Sequence, residues 1–292
     1  MWISLALLCA LLTGSGDAIS KKLLDRSGER VVGWAKLLFT LPWLGLGWIC
    51  VQPPLPGGEF WLLAAAAIPV EVAAYLCYLR AIRVAPLSLA VPFLALTPML
   101  TVLTSRLFLG EGVAPAGFFG VCSVAGGAYV LQVDRAARGI LEPLRAMLRN
   151  PGIRLMLLTA ALFSITATLG KRMIALSSPA AFLFYYFGVE ALVLSEWIRR
   201  GPGGFRAVWP EVRGQAGLYA LSGVVLAGAL FAHASGIVRA PVPYFLSIKR
   251  LSLLVSVLYG GLLFREQAMR QRVVGAALML AGAVVITCAG AR

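Results

Sequence analysis

Residues 75–111 read YLCYLRAIRVAPLSLAVPFLALTPMLTVLTSRLFLGE, and residues 231–266 read FAHASGIVRAPVPYFLSIKRLSLLVSVLYGGLLFRE. The two stretches follow one plan. Each leaves an apolar segment at a basic residue (Arg83, Arg239) and passes through Ala-Pro (Ala85-Pro86, Ala240-Pro241). Each then runs on as a long apolar segment and closes on a glutamate, Glu111 or Glu266. Both the Ala-Pro pair and the glutamate recur 155 positions later. Gly120 and Gly127 match Gly275 and Gly282 at the same offset, and Lys21-Lys22 matches Lys171-Arg172 at an offset of 150. One small insertion or deletion reconciles the two offsets. An ordered set of matches at a fixed period is the signature of an internal repeat.

The composition around these stretches sets the solvent. Of 292 residues, 60% are hydrophobic and 13% charged. Soluble domains run nearer half apolar and a quarter charged, so a soluble enzyme is excluded. About 20 mostly apolar residues cross a bilayer core of about 30 Å. Ten such spans can be read, roughly 2–19, 31–50, 60–79, 86–108, 114–132, 153–173, 179–197, 215–235, 242–264 and 271–290. Turn signals separate them, among them Pro53-Pro54-Leu55-Pro56-Gly57-Gly58 and Gly201-Pro202-Gly203-Gly204. A membrane β-barrel would instead show weak ten-residue alternation. The fold class is therefore all-α and polytopic. Residues 1–132 form a first five-helix repeat, 133–152 a basic linker and 153–292 a second five-helix repeat. An odd number of crossings makes the second copy enter the membrane from the opposite side. Such an inverted-topology repeat is a recurring plan of secondary transporters. In the linker, Leu141, Leu144 and Leu148 at helical spacing among arginines fit either an interfacial amphipathic helix or a plain connection.

The remaining composition narrows function. The net charge is +14. In a soluble protein this would suggest nucleic acid, but the basic residues sit mainly in short loops, where they orient helices and meet anionic lipid. The five cysteines lie in or at the ends of apolar segments without metal or redox spacing, so they read as small buried hydrophobes. His233 is the only histidine, which excludes a multi-histidine metal site. Residues 2–19 read as a span rather than a signal peptide. They lack a basic n-region, Gly14–Ala18 is a poor cleavage site, and the repeat needs this segment. No Walker-type phosphate loop, His-Glu-x-x-His or nucleophile elbow occurs. No enzyme and no cofactor is expected, and transport has to run on gradients rather than ATP.

The blocks Tyr75–Glu111 and Phe231–Glu266 resemble the drug/metabolite transporter superfamily, specifically its ten-helix EamA-like members, over nearly the whole chain. The resemblance implies an exporter or carrier working by alternating access. It leaves the substrate open, because that family carries amino acids, sugars, nucleotide derivatives and drugs. The second block departs from the first at Lys249-Arg250, which stand where the first has Leu94-Ala95.

Ionisable residues within spans cost about 2.5–3.5 kcal/mol each on insertion scales and usually face a cavity or a partner. The set is Asp17, Lys36, Glu71, Glu190, Lys249 and Arg250, with His233. Lys249 and Arg250 suit an anion site, with Arg forking onto carboxylate or phosphate and Lys adding a point charge. The alternative is an ion pair with Glu71 or Glu190. Consecutive helical residues point about 100° apart, so one of the pair is expected to face the cavity and the other a neighbouring helix. Glu71 and Glu190 could take a proton or a substrate amine, or serve as permanent partners for Lys249, Arg250 or Lys36. Asp17, within one turn of Lys21, is expected to pair with it. Glu111 and Glu266 are expected to cap spans five and ten or to pair in loops. Tyr75 and Tyr244, with Tyr185 and Tyr186, could line a cavity or pack as core and interface anchors. Pro86, Pro92, Pro98, Pro241 and Pro243 mark spans four and nine as the helices able to bend. The paired glycines of spans five and ten read as a close helix crossing.

The function expected is a secondary transporter of a small anionic or zwitterionic metabolite, bound against Lys249, Arg250, Glu71, Glu190, Tyr244 and Tyr75. The alternative is a flippase for an anionic lipid or polyprenyl-phosphate headgroup. The expected setting is the inner (cytoplasmic) membrane, with lipids as partners and no nucleic acid. A monomer and a homodimer both suit the repeat.

Orientation follows from charge. Loops after odd-numbered spans hold most of the Lys and Arg; those after even-numbered spans hold Arg106, Lys171, Arg172 and Arg239. The positive-inside rule then places odd loops in the cytoplasm and both termini outside, whereas the resemblance implies both termini inside. We expect the charge excess to decide. A reporter fused after Arg292 and active only in the cytoplasm should stay silent; an active one reverses the orientation.

Overall fold

The computed structural model describes residues 1–85, 90–130, 150–255 and 269–290. Pro86, Glu266 and the linker arginines lie outside them. The described chain is helical. The elements are α1 (Trp2–Leu24), α2 (Glu29–Val51), α3 (Gly58–Val84), a 3-10 turn (Val91–Leu96) leading into α4 (Thr97–Leu109), α5 (Pro115–Val130), α6 (Pro151–Ala175), α7 (Pro179–Arg200), α8 (Gly204–Gly214), α9 (Ala216–Ile237), α10 (Val242–Lys249) and α11 (Met269–Gly290). Six of these, α1, α2, α3, α6, α7 and α9, are long and apolar enough to cross a membrane. Within the expected spans four, five, nine and ten lie α4, α5, α10 and α11.

Local chemistry sets the helix ends. Asn150 caps α6 through its side-chain oxygen, which accepts from the Gly152 N–H at 2.8 Å. The Ser178 hydroxyl caps α7 at the Ala181 N–H, 3.1 Å away. Proline follows each cap, where its missing N–H costs nothing. Gly110 ends α4 in the left-handed region (φ 67°), which lets the Glu111 N–H return to the Ser105 carbonyl at 3.2 Å.

Outward faces carry large apolar side chains, such as Ile49, Leu103, Phe119, Leu192 and Val284, all well exposed. On a chain this apolar they are the lipid-facing surface. Inward faces are rich in alanine and glycine, which lets backbones approach closely. One such approach joins α5 to α11. A Cβ on Gly127 would stand 2.7 Å from the Gly275 carbonyl oxygen, and one on Gly282 would stand 2.7 Å from the Gly120 oxygen. The four glycines picked out by the repeat are thus one antiparallel crossing. Elsewhere α3 packs on α6, α1 on α9, and α2 on both α7 and α9.

Polar contacts at the helix ends sort into two sets. In one, Glu29 pairs with Arg80 (3.2 Å) and Arg83 (2.5 Å), and Gln215 donates to Ser27 (3.1 Å). In the other, Glu59 pairs with Arg172 (2.9 Å) and Glu111 with Lys171. The first set joins loops after odd spans and the second joins loops after even spans. Glu111 also accepts from the Val242 N–H at 3.0 Å, and Lys171 donates to the Ala240 carbonyl at 2.6 Å. Glu111 therefore caps α10, in the other half of the chain, rather than the helix that follows it. The chain turns away at Gly110, so the carboxylate reaches the free N–H groups of a spatial neighbour instead.

One helix was not foreseen. The segment read as a loop after span seven continues into α8, whose exposed face carries Phe205, Arg206, Trp209 and Arg213. Aromatic and basic side chains on a short amphipathic helix suit the membrane interface.

The glycine crossing makes a direct test. Gly127→Ala and Gly282→Ala each place a methyl group against backbone and should destabilise the fold by about 1–3 kcal/mol. Gly126, on the same helix, has open space around it. Gly126→Ala should leave the melting temperature in detergent unchanged or slightly raised. Equal melting of all three variants would remove the crossing as a structural determinant.

Candidate functional site

The site forms where α10 stops. Pro241 and Pro243 start this helix, and it ends after eight residues at Lys249. Its hydrogen bonds then tighten. The Arg250 N–H donates to Leu246 (3.0 Å) and Ser247 (3.1 Å), the Leu251 N–H to Ile248 (3.0 Å), and the Leu253 N–H to Arg250 (3.0 Å). Bonds that skip three residues rather than four are 3-10 geometry, which within a span often marks a functional hinge. The matching stretch of the first half is the 3-10 turn Val91–Leu96. Both halves break regular helix at the same repeat position, but only the second places cations there.

The two cations face the same space. Lys249 and Arg250 were expected to diverge by about 100°, one inward and one toward a neighbour. Both instead line a single cavity of about 240 Å³. With Leu246 and Leu253, which also line it, they stand at i, i+3, i+4 and i+7, the spacing of one helical face wide enough to hold both. The seven ionisable residues singled out from the interior of the spans all line this cavity: Asp17, Lys36, Glu71, Glu190, His233, Lys249 and Arg250. They come from α1, α2, α3, α7, α9 and the end of α10, so both halves contribute.

Their partners are specific. Arg250 is 7% exposed and donates through Nη2 to Thr97 Oγ1 at 2.9 Å, while its Nε has no hydrogen-bond partner among the described residues. Lys249 Nζ lies 3.4 Å from His233 Nδ1. Among the described residues neither cation forms an ion pair with Glu71 or Glu190. Lys36 is buried and donates to Ser20 Oγ at 2.6 Å. Asp17 accepts from the Tyr78 hydroxyl at 2.7 Å. The expected Asp17–Lys21 pair is not formed, because Lys21 Nζ turns to the Ile82 carbonyl at 2.5 Å. Asp17 points inward and Lys21 toward the end of α3, so proximity along the helix does not bring them together.

Glu190 is 2% exposed, and its Oε2 has no hydrogen-bond partner among the described residues. Its electrostatic neighbour is Glu71. Around these carboxylates stand Tyr75, whose buried hydroxyl likewise has no partner among the described residues, and Tyr186, which stacks on Phe182 with ring centroids 5.0 Å apart. Phe187 meets Tyr186 edge-on at 5.3 Å.

Of the six site residues chosen from sequence, Lys249, Arg250, Glu71, Glu190 and Tyr75 line the cavity and Tyr244 does not. Tyr244 is buried against α5, with its hydroxyl over Gly117, where a Cβ would collide with it. It lies in the first turn of α10 and faces away from the break. Tyr185 likewise turns to Trp48 and Trp61. Tyr78, Thr97 and Thr166 line the cavity and had not been singled out. Tyr78 was legible, since Glu71, Tyr75 and Tyr78 share one helical face. Thr97 and Thr166 carry no such signal.

The EamA-like transporter family model matches residues 1–133 and 150–288. No curated protein matches the chain. Among solved structures, a crystal structure of a protein is similar over 99% of this chain and 99% of its own length, with a TM-score of 0.67 and 19% identity. At that identity the likeness concerns the fold alone.

At the cavity wall the Tyr78 hydroxyl donates to Asp17. Tyr78→Phe should cost roughly 1.5–3 kcal/mol, the range for a hydrogen bond to a charged group. Asp17→Asn keeps the acceptor and should cost less. Melting curves in detergent rank the two, and wild-type melting of Tyr78→Phe would show the bond to be unimportant.

Proposed function

The chain belongs to the EamA-like transporter family, and on that premise we propose that it is a gradient-driven carrier of a small anionic or zwitterionic metabolite, working by alternating access. Family membership makes it a multi-pass membrane transporter of small solutes, in a family of transporters rather than enzymes. The finer reading is ten crossings in two inverted five-helix halves, residues 1–132 and 153–292, set in the inner membrane. Several observations support it. The two matched segments of the family model coincide with those halves. Exchanging the halves converts the α3–α6 contact into the α9–α1 contact and maps the α5–α11 glycine crossing onto itself. The contacts between loops keep odd and even sets apart. Oppositely oriented halves around one site can expose it to either side in turn.

One observation carries the proposal: the seven ionisable residues singled out from the interior of the spans all line one cavity, at the end of α10. Ion pairs holding helices together would be dispersed among helix contacts. A solute site gathers them. At about 240 Å³ the cavity falls below the roughly 300–1,000 Å³ of drug-sized sites, so a small metabolite fits better than a lipid-linked sugar.

The first test is a melting screen of purified protein against anionic and zwitterionic metabolites and polyprenyl phosphates, since a ligand of the folded state raises the melting temperature. A response confined to polyprenyl phosphates would favour a lipid-linked carrier. The compound that responds is then used for uptake into liposomes. Lys249→Ala and Arg250→Ala should melt near the wild type and lose uptake. Lys249→Arg should keep part of it, and Arg250→Lys should lose more, because an ammonium cannot rebuild a forked guanidinium contact. Normal uptake by both alanine variants would sink the proposal.

A further inference from the structure

The loops that join the second and third spans of each half are built differently. In the first half the uncharged residues 52–57 suffice to link α2 to α3; in the second, residues 201–215 link α7 to α9 and contain α8. The repeat therefore does not need α8 as a connection. The side chains of α8 (Gly204–Gly214) sort by side. Phe205, Val208, Trp209 and Val212 stand at i, i+3, i+4 and i+7, which is one apolar stripe. Val212 is buried, whereas Phe205 is 40% exposed and Trp209 50% exposed. At about 100° per residue, Arg206 and Arg213 fall on one face, beside the exposed edge of that stripe. Glu211, the acidic residue of α8, falls about 140° from Arg206, on the other side of the helix.

The helix is held in a fixed place. The Phe205 ring packs on Trp34 with centroids 5.5 Å apart, and Trp34 Nε1 donates to Ser195 Oγ at 2.8 Å, so α8 is fastened to α2 and α7 together. It lies between the end of one span, α7, and the start of another, α9, which sets it at the level of the headgroups. The neighbouring Arg199 and Arg200 are matched by Glu196, and Arg30 lies over the Trp197 ring at 4.6 Å. Arg206 and Arg213 are exposed and belong to none of the ion pairs among the described residues. An aromatic edge bounded by two such arginines complements a bilayer surface of negative charge. The rings enter the boundary of the acyl chains while the guanidinium groups reach phosphate. We propose that α8 is a docking site for anionic phospholipid, with Arg206 and Arg213 on the headgroup phosphates and Phe205 and Trp209 beside the upper acyl chains. A choline headgroup offsets its own phosphate with a cation, so lipids of net negative charge are preferred.

The test needs no transported solute, so its outcome is independent of the transporter reading. The full chain is placed in nanodiscs of phosphatidylcholine with a rising share of phosphatidylglycerol, and melting is followed at low ionic strength. The wild type should melt higher as that share rises, since a ligand of the folded state stabilises it. Arg206→Gln combined with Arg213→Gln should melt like the wild type in pure phosphatidylcholine and need roughly tenfold or more phosphatidylglycerol for half the rise. Arg106→Gln combined with Arg239→Gln removes the same charge from exposed positions at the other end of the bundle and should keep the rise. Contact is read separately, with both α8 arginines intact, from quenching of tryptophan fluorescence by phosphatidylglycerol or phosphatidylcholine brominated high on the acyl chains. Phosphatidylglycerol should quench more, and Trp209→Phe should remove the difference. Equal melting at every share of phosphatidylglycerol, an undiminished rise in the Arg206 and Arg213 double variant, or equal quenching by the two lipids overturns the proposal. So does an equal loss in both double variants, which would make the rise a matter of net charge. A rise given by soluble polyglutamate instead of phosphatidylglycerol also overturns it, by marking α8 as a protein-docking surface.

Discussion

The low polarity of the bilayer core governs this molecule. A carboxylate or ammonium facing hydrocarbon is expensive, so each one retained within a span has to be turned toward something polar. The six helices from which the charged groups come bring them to one place. Large apolar side chains are left for the lipid, and alanine and glycine for the contacts between helices. The glycine crossing of α5 and α11 belongs to the same economy of space: without Cβ atoms, two backbones meet directly, with no polar group needed to join them.

The end of α10 lies where this constraint gathers the cations. Leu246, Lys249, Arg250 and Leu253 form one face toward the cavity, and the helix begun at Pro241 and Pro243 ends on that face. Tightened hydrogen bonds keep most of the local backbone satisfied while the axis is broken. The first half makes its own 3-10 interruption at the matching position without charges. The two halves therefore share a backbone device and differ in chemistry, and the site is asymmetric within a symmetric frame.

Glu111 illustrates how the halves are tied at one end of the bundle. It ends α4 in the first half, pairs with Lys171 at the end of α6, and caps the first turn of α10. That first turn is the one preceding the break, so the contact connects the loop face of the protein to the cavity through eight residues of helix.

Much of this could be read from the chain itself. The apolar spans, the repeat, the glycine crossing and the list of ionisable residues follow from period and composition, which are properties of the sequence alone. Glu71, Tyr75 and Tyr78 share a face by helical spacing, so part of the wall was legible as well. Other features were decided only by folding. Asp17 turned to Tyr78 rather than Lys21, Glu111 capped a helix of the other half, and Tyr244 packed on Gly117 away from the cavity. Each of these depends on which side chain another helix brings within reach. Sequence spacing fixes the face a residue occupies on its own helix. It does not fix what that face meets, because the partners come from positions far away in the chain, placed by packing.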